Sequence, residues 1–234
     1  MLRQIICAID TGDLDTALGI VRRLSPQIGA FKIGHALTLP HGLEVISRLQ
    51  DAGAQRIFLD LKFHDIPNSV ALAVREAARR HVWMTTLHIS GGAAMLTAAV
   101  EEARSAALGE APLLVGVSVL TSLSQQDLNQ TLGIHRTVAD HMKHLTEVAM
   151  DRDLDGVVCS PEEIGLLRPV VGHGIIVTPG IRFADSASHD QVRTGTPHEA
   201  IQSGADYLVI GRMLSDSPDV DATLARLGLV EGAI

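Results

Sequence analysis

Two opposite charges inside an apolar segment are the residues of this chain best suited to chemistry. Asp60 and Lys62 stand two positions apart in residues 56–62, which are otherwise rich in Ile, Leu and Phe. Side chains alternate between the faces of a β-strand, so both charges are predicted to point the same way. A carboxylate beside an ammonium in an apolar strand is typical of a catalytic site. The alternative is a structural ion pair without a catalytic role.

Further charges are expected near this pair. Asp10 ends the first apolar segment of the chain, and Lys32 lies inside the otherwise uncharged second one. If these segments are strands of one barrel, the four charges converge at its carboxyl-terminal rim, where barrel enzymes build their sites. Asp65 comes just after the third segment, before Ile-Pro, and two interpretations of it stay open: a catalytic group or the N-cap of a helix.

A second group of residues could bind an anion such as phosphate. Arg182 and Gly211-Arg212 follow the seventh and eighth apolar segments, and Gln191 lies in the long loop between them. In barrels the loops at these places commonly bind phosphate. Arginine offers planar donor pairs to a dianion, and glycine lets backbone amides approach it. Either arginine alone would more simply be a solvated surface charge, so the hypothesis depends on both occurring together.

The elements that must position these residues follow from hydrophobic patterning. Eight short apolar runs are nearly continuous in Val, Ile and Leu, as expected of parallel strands buried on both faces. Segments with helical periodicity separate them. The pattern predicts an α/β fold with a single (β/α)8 TIM barrel, forming one domain over residues 1–234. The predicted strands are residues 4–10, 30–34, 56–62, 83–90, 113–120, 156–160, 174–180 and 207–212.

Composition excludes several classes of partner. The 234 residues carry 27 acidic and 19 basic side chains, a net charge of −8, which disfavours nucleic-acid polymers and anionic membranes. Cys7 and Cys159 lie in apolar segments and are predicted to be core thiols in a reducing, cytoplasmic protein. The first residues lack the pattern of an export signal, and no apolar run approaches the ~20 residues of a membrane span. No metal-ligand spacing or dinucleotide fingerprint occurs, so neither metal nor cofactor is expected.

A longer motif surrounds the charged pair. Residues 58–69 read Phe-Leu-Asp-Leu-Lys-Phe-His-Asp-Ile-Pro-Asn-Ser. This stretch resembles the signature of orotidine 5′-phosphate decarboxylases, an Asp-x-Lys-x-x-Asp followed by Ile-Pro-Asn and a hydroxyl residue. Ser69 stands where the family more often has threonine. The resemblance continues in the family's order through residues 8–10, Lys32, residues 119–122, residues 178–182, Gln191 and residues 210–212.

The resemblance implies an activity and a set of roles. The family's reaction removes carbon dioxide from orotidine 5′-monophosphate and yields uridine 5′-monophosphate, the last step of de novo pyrimidine nucleotide synthesis, without a cofactor. Lys62 would stabilise the carbanion at ring carbon six and then protonate it. Asp60 would lie against the substrate carboxylate, and Lys32 would hold Asp60 in place.

The remaining site residues are also implied by the resemblance. Asp10 is expected at the ribose hydroxyls, and either Thr121 or Ser122 at the pyrimidine edge. Asp65 is expected to reach into the neighbouring subunit's site, which implies a homodimer. The other implied substrate-binding residues are Ile66, Pro67, Asn68 and Ser69 of the motif, and Arg182, Gln191, Gly211 and Arg212 at the phosphate.

Two rival functions stay open. Relatives of this barrel with an Asp-x-Lys-x-x-Asp core use magnesium to decarboxylate or cleave sugar phosphates, but the Ile-Pro-Asn-Ser tail and the paired arginines favour a nucleotide substrate. A barrel that senses a nucleotide phosphate without turnover is disfavoured by the retention of Asp60, Lys62 and Asp65. His88, at the end of the fourth segment, is either a supporting group of the site or a structural histidine.

Overall fold

Eight parallel strands form a closed barrel. The computed structural model describes residues 2–182 and 195–228, and within them each strand pairs with its sequence neighbours while the eighth returns to the first. This confirms the predicted (β/α)8 architecture. The strands are β1 (Ile5–Ile9), β2 (Ala30–Ile33), β3 (Arg56–Phe63), β4 (Met84–His88), β5 (Leu113–Val117), β6 (Gly156–Val158), β7 (Ile175–Thr178) and β8 (Tyr207–Ile210).

Helices follow the strands, and side-chain caps fix where several of them begin. Asp13 accepts a hydrogen bond from the Thr16 amide at the start of the first, and Thr137 does the same for Asp140 at the sixth. Among the described residues no helix is both long and apolar enough to cross a membrane. The helices are α1 (Leu14–Leu24), α2 (His35–His41), α3 (Val45–Asp51), α4 (Pro67–Arg79), α5 (Ala93–Ala106), α6 (Val138–Met150), α7 (Ile164–Val171), α8 (Pro197–Gln202), α9 (Arg212–Ser215) and α10 (Val220–Arg226).

The core has two layers. The larger lies between the strands and the surrounding helices, and the smaller fills the barrel itself with Ile6, Phe58, Met84 and Val115 among its members. Each fully buried aliphatic or aromatic side chain stabilises the fold by about 1.5–3 kcal/mol. The barrel is therefore a packed scaffold, and its interior is not a pore.

Both cysteines belong to this core. Cys7 and Cys159 are buried free thiols, as predicted. Burial raises the pKa of both thiols to about 12. Neither is therefore a thiolate at neutral pH, so neither is suited to act as a nucleophile.

An aromatic and cationic group closes the amino-terminal end of the barrel. The rings of Trp83 and Tyr207 meet edge to face with centroids 5.0 Å apart. The Arg56 guanidinium lies 4.4 Å from the centroid of the Trp83 ring, within cation–π distance. With this end closed by side chains, the accessible space lies at the carboxyl-terminal ends of the strands.

Candidate active site

A cavity of about 1000 Å³ opens at the carboxyl-terminal ends of the strands. This is the rim on which the sequence placed the candidate residues, and the structure brings eight of them together there. They come from strands or following loops spread around the barrel: Asp10, Lys32, Asp60, Lys62, Thr121, Arg182, Gly211 and Arg212.

Four of these side chains form a line of alternating charge. Lys32 Nζ lies 3.4 Å from Asp10 Oδ1 and 3.5 Å from Asp60 Oδ2. Lys62 Nζ lies 2.8 Å from Asp60 Oδ1 and 2.9 Å from Oδ2. Asp60 and Lys32 keep only 13% and 14% of their side-chain surface exposed, whereas Lys62 keeps 37%. The inner pair is fixed by the barrel, and the Lys62 ammonium faces the cavity.

The electrostatic environment keeps Asp60 ionised. Burial is the largest single influence on its pKa and raises it, but several groups act together in the other direction. The charges of Lys32 and Lys62, with hydrogen bonds from Lys62 and Thr86, hold the pKa of Asp60 below its usual 3.8. Asp60 is therefore a carboxylate beside the cavity at neutral pH.

The backbone at Lys62 departs from a regular strand. Its φ of 50° lies in the left-handed region, and the β3–β4 register shifts between Leu59 and Phe63. The predicted meeting of Asp60 and Lys62 is confirmed, but simple alternation along a strand is not its cause. The left-handed backbone conformation of Lys62 directs its side chain back toward Asp60. This conformation costs energy in a residue other than glycine.

Thr86 is a site residue that the sequence analysis missed. Its hydroxyl donates to Asp60 Oδ1 at 3.0 Å and accepts from the Lys62 amide at 2.8 Å. Its position could have indicated this role, because Thr86 lies two residues after Met84 on β4. Side chains two apart on a strand share a face, and that of Met84 fills the barrel. A threonine in an apolar strand carries no charge, so the sequence pattern does not distinguish it from a structural residue.

His88 lies beside this group. Its ring centroid is 5.2 Å from that of His64, and the two rings are tilted by 38°. Burial lowers the pKa of His88 most, and the charges of His64 and Lys62 lower it further against the opposing effect of Asp60. The imidazole is therefore neutral at neutral pH and adds no charge to the site.

The rest of the motif lies outside this cavity. Asp65, Ile66, Pro67 and Asn68 are exposed and Ser69 is half-buried; none of them, nor Ser122, is among the residues that line the cavity. The carboxylate of Asp65 accepts from the Ile66 amide at 2.6 Å, and the N-cap of α4 is Ile66, without a side-chain cap bond. The interpretation of Asp65 as the helix cap is wrong.

The two arginines line the same cavity, on the loops after β7 and β8, and β8 pairs with β1. In the loop after β7, Gly180 has a φ of 85°, which suits glycine, and Ile181 then bridges to Gly195. The Arg182 amide donates to the Gly195 carbonyl at 3.0 Å, which fixes where this arginine leaves the sheet. Arg212 is the first residue of α9, directly after β8 and Gly211. The predicted contribution of Gln191 lies outside the described residues.

Known proteins resemble this chain along nearly its whole length. The model of the orotidine 5′-phosphate decarboxylase / HUMPS family matches residues 3–227. An orotidine 5′-phosphate decarboxylase of Coxiella burnetii is 45% identical over 217 residues, covering 92% of this chain and 91% of the relative. One of Chromobacterium violaceum is 43% identical over 224 residues, covering 95% and 89%.

Solved structures share the fold. The crystal structure of an orotidine 5′-phosphate decarboxylase from Lactobacillus acidophilus has a TM-score of 0.85 at 30% identity and covers 97% of both chains. An uncharacterized conserved protein from Geobacillus kaustophilus has a TM-score of 0.84 at 30% identity, covering 96% of this chain and 98% of that one. Together with the charged pair at the rim of the barrel, these matches show that the chain belongs to the orotidine 5′-phosphate decarboxylase / HUMPS family.

Proposed function

We propose that this chain decarboxylates orotidine 5′-monophosphate to uridine 5′-monophosphate, with Lys62 as the group that stabilises the carbanion and donates the proton. The observation that carries the proposal is the Lys62 ammonium, 2.8 Å from the ionised Asp60 and facing a cavity that two arginines also line. Curated relatives at 43–45% identity carry the name of this enzyme. The two buried thiols suit the reducing cytoplasm expected from the sequence.

The chemical step needs a cation beside the reacting carbon. The bond between the carboxylate and ring carbon six breaks, carbon dioxide leaves, and the electron pair stays on the ring. The Lys62 ammonium stabilises this charge as it develops and then transfers its proton to the carbon. Asp60 faces the departing carboxylate, where like-charge repulsion is relieved as carbon dioxide leaves. Lys32 supports Asp60 from 3.5 Å away.

The other predicted residues hold the substrate. Arg182 and Arg212 bind the phosphate with paired donors, aided by Gly211 and Gln191. Asp10, 66% exposed next to Lys32, meets the ribose hydroxyls, and the loop after β5 meets the pyrimidine edge through Thr121 or Ser122. Thr121 lines the cavity and is the better placed of the two. The phosphate lies far from the reacting carbon, so its binding energy serves to orient the ring.

A second copy of the chain completes the site in this proposal. Asp65 extends the line of charges from the partner subunit, and the motif residues Ile66, Pro67, Asn68 and Ser69 approach the substrate of that subunit. Their position outside the chain's own cavity supports this arrangement. Ile66 is 66% exposed, and a large apolar side chain on the surface suits burial against another protein.

The test follows the loss of orotidine 5′-monophosphate absorbance with purified protein. The wild type should turn over without added metal and in excess chelator. Lys62→Ala should lower kcat by roughly 10³-fold or more, because it removes both the stabilising charge and the proton donor. Lys143→Ala, on α6 and away from the cavity, is the matched control and should keep wild-type kcat.

Each arm has an outcome that contradicts the proposal. Loss of activity in chelator would favour a magnesium-dependent enzyme acting on sugar phosphates. Binding of the nucleotide without any turnover would favour a sensor. Near wild-type turnover by the folded Lys62→Ala variant would remove the lysine from the mechanism while leaving the decarboxylase activity in place.

A further inference from the structure

The ladder between β3 and β4 is interrupted where the charged pair lies. Leu59 pairs with Thr85, and Phe63 pairs with Leu87. The chain therefore advances four residues along β3 while it advances two along β4. The residues between, including Asp60 and Lys62, are displaced from regular pairing. Backbone groups in such an interruption must find other hydrogen-bond partners, because a buried amide left without one is destabilising.

One side chain on β4 bridges the interruption. The Lys62 amide donates to Thr86 Oγ1 at 2.8 Å, where a regular ladder would supply a carbonyl oxygen. The same hydroxyl donates its proton to Asp60 Oδ1 at 3.0 Å. Thr86 is 1% exposed, so water does not compete for either bond. A hydroxyl has one proton to donate and lone pairs to accept, and Thr86 uses both functions.

We propose that Thr86 is a positioning residue, which holds the backbone of Lys62 and the carboxylate of Asp60 in the geometry that the reaction needs. The inference rests on the proposed function, because it assigns the threonine to the same decarboxylation site. Thr86 touches neither the reacting carbon nor the phosphate in this arrangement. It acts through the two residues that do the chemistry.

The left-handed backbone at Lys62 explains why such support is needed. A non-glycine residue with a φ of 50° is held there only when its surroundings favour that conformation. Without the Thr86 hydroxyl, the Lys62 amide loses its partner and the turn can relax toward a regular strand. The ammonium would then spend less time beside ring carbon six. Electrostatic catalysis depends on charges fixed in advance, so kcat should suffer more than KM.

The neighbouring threonine provides a matched control. Thr85 is fully buried on the same strand, and its hydroxyl donates to the Leu59 carbonyl at 2.8 Å. That hydrogen bond is made to Leu59, the last residue before the interruption, and involves neither Asp60 nor Lys62. Thr85→Val and Thr86→Val therefore remove the same hydroxyl from the same strand, with equal changes in volume, and differ in their connection to the charged pair.

The experiment compares these variants in turnover, in pH dependence and in amide hydrogen exchange by NMR. Thr86→Val should lower kcat about ten- to a hundred-fold, the effect of losing a hydrogen bond to a charged group, while KM changes less than about threefold. The pKa of Asp60 should rise, since one of the hydrogen bonds that lower it is removed. Thr86→Ser, which keeps the hydroxyl, should restore kcat to within about threefold of the wild type. Thr85→Val should keep kcat although its melting temperature falls.

Hydrogen exchange tests the positioning separately from the activity. The Lys62 amide should exchange faster in Thr86→Val than in the wild type or in Thr85→Val, because only the first variant removes its acceptor. A wild type without decarboxylase activity would overturn the proposed function, yet this measurement would still decide whether Thr86 holds the turn. If Thr86→Val does not fold, Thr86→Ala removes the hydroxyl with less crowding of the strand.

Three results would overturn the assignment. The first is wild-type kcat and unchanged Lys62 exchange in a variant without the hydroxyl. The second is an equal loss of kcat in Thr85→Val, which would show a general effect of weakening β4. The third is a Thr86→Ser variant as impaired as Thr86→Val, which would trace the effect to the buried methyl group instead of the hydroxyl.

Discussion

At the scale of single residues, the pKa of His88 depends on its burial and on the charges around it. His88 lies half-buried beside Lys62, and burial, then the charges of His64 and Lys62, lower its pKa below the usual 6.5. In the unfolded chain these influences vanish. The unfolded state therefore binds a proton at His88 at pH values where the folded state does not.

This difference predicts a pH dependence of stability. A depressed histidine pKa contributes stability that is present above about pH 6.5 and is lost as the pH falls toward the folded value. In urea unfolding at a series of pH values, His88→Gln should flatten the acid-side decline, by less than the ~1.4 kcal/mol per pH unit of one full proton. His173→Gln, at an exposed position after α7, is the control and should follow the wild type. Identical slopes for His88→Gln and wild type would contradict the environment assigned to His88.

Residue types explain which parts of the site were predictable. Asp10, Lys32, Asp60 and Lys62 stand out because charges are rare in buried strands, and the structure brings all four together. Thr86 did not stand out, because its role depends on a register shift between strands. Such a shift depends on pairing across the sheet, which no local pattern in β3 or β4 encodes.

At the scale of elements, adding a methyl group at two different glycines should have opposite effects on stability. Gly19 lies exposed within α1, and a Cβ added there would meet nothing within 4 Å. Glycine in a helix is less stable than alanine, since its backbone loses more freedom on folding. Gly19→Ala should therefore raise the free energy of unfolding by about 0.5–1 kcal/mol, measured by urea denaturation.

Gly156 in β6 provides the opposite case. A Cβ there would come within 1.9 Å of the Ile175 carbonyl oxygen, in the backbone of the neighbouring strand. Gly156→Ala should accordingly lower the free energy of unfolding, because the sheet must move apart to accommodate the methyl group. A loss of stability in Gly19→Ala, or an unchanged Gly156→Ala, would show that the local packing differs from this structure.

Strand positions were more predictable than strand ends. Buried parallel strands are apolar on both faces, so all eight appeared as continuous apolar runs. The fifth was predicted over residues 113–120, but β5 ends at Val117. The chain stays apolar beyond that point because Val119 and Leu120 line the cavity. Composition alone does not distinguish a residue buried in the sheet from one that lines a pocket.

At the scale of the whole molecule, the barrel assembles one site from distant parts of the chain. The line of charges comes from the residue after β1 and from β2 and β3, and the arginines follow β7 and β8. Closure of the sheet, in which β8 pairs with β1, brings these two groups into one cavity. Asp65 belongs to the same motif as Asp60 and Lys62, yet its exposed side chain is not among those lining the chain's own cavity. This separation between motif and cavity is what a shared site at a two-fold interface would produce.

Mixing two inactive variants tests whether the site is shared. Lys62→Ala and Asp65→Ala should each lack activity alone. If Asp65 serves the partner's site, a mixed dimer contains one site with both Lys62 and Asp65 intact and one site with neither. Unfolding and refolding an equal mixture should then recover about a quarter of wild-type activity, because half of the dimers are mixed and half of their sites are intact.

The same mixture distinguishes a shared site from one in which Asp65 acts in its own subunit. If Asp65 acts in its own subunit, every site of a mixed dimer lacks one of the two residues, and refolding recovers nothing. Refolding wild-type protein alone controls for losses in the procedure, and Lys62→Ala mixed with the double variant Lys62→Ala/Asp65→Ala should stay inactive under either arrangement. Recovery in the first mixture alone would assign Asp65 to the partner's site, and its absence would assign the aspartate to the site of its own subunit and contradict the shared site.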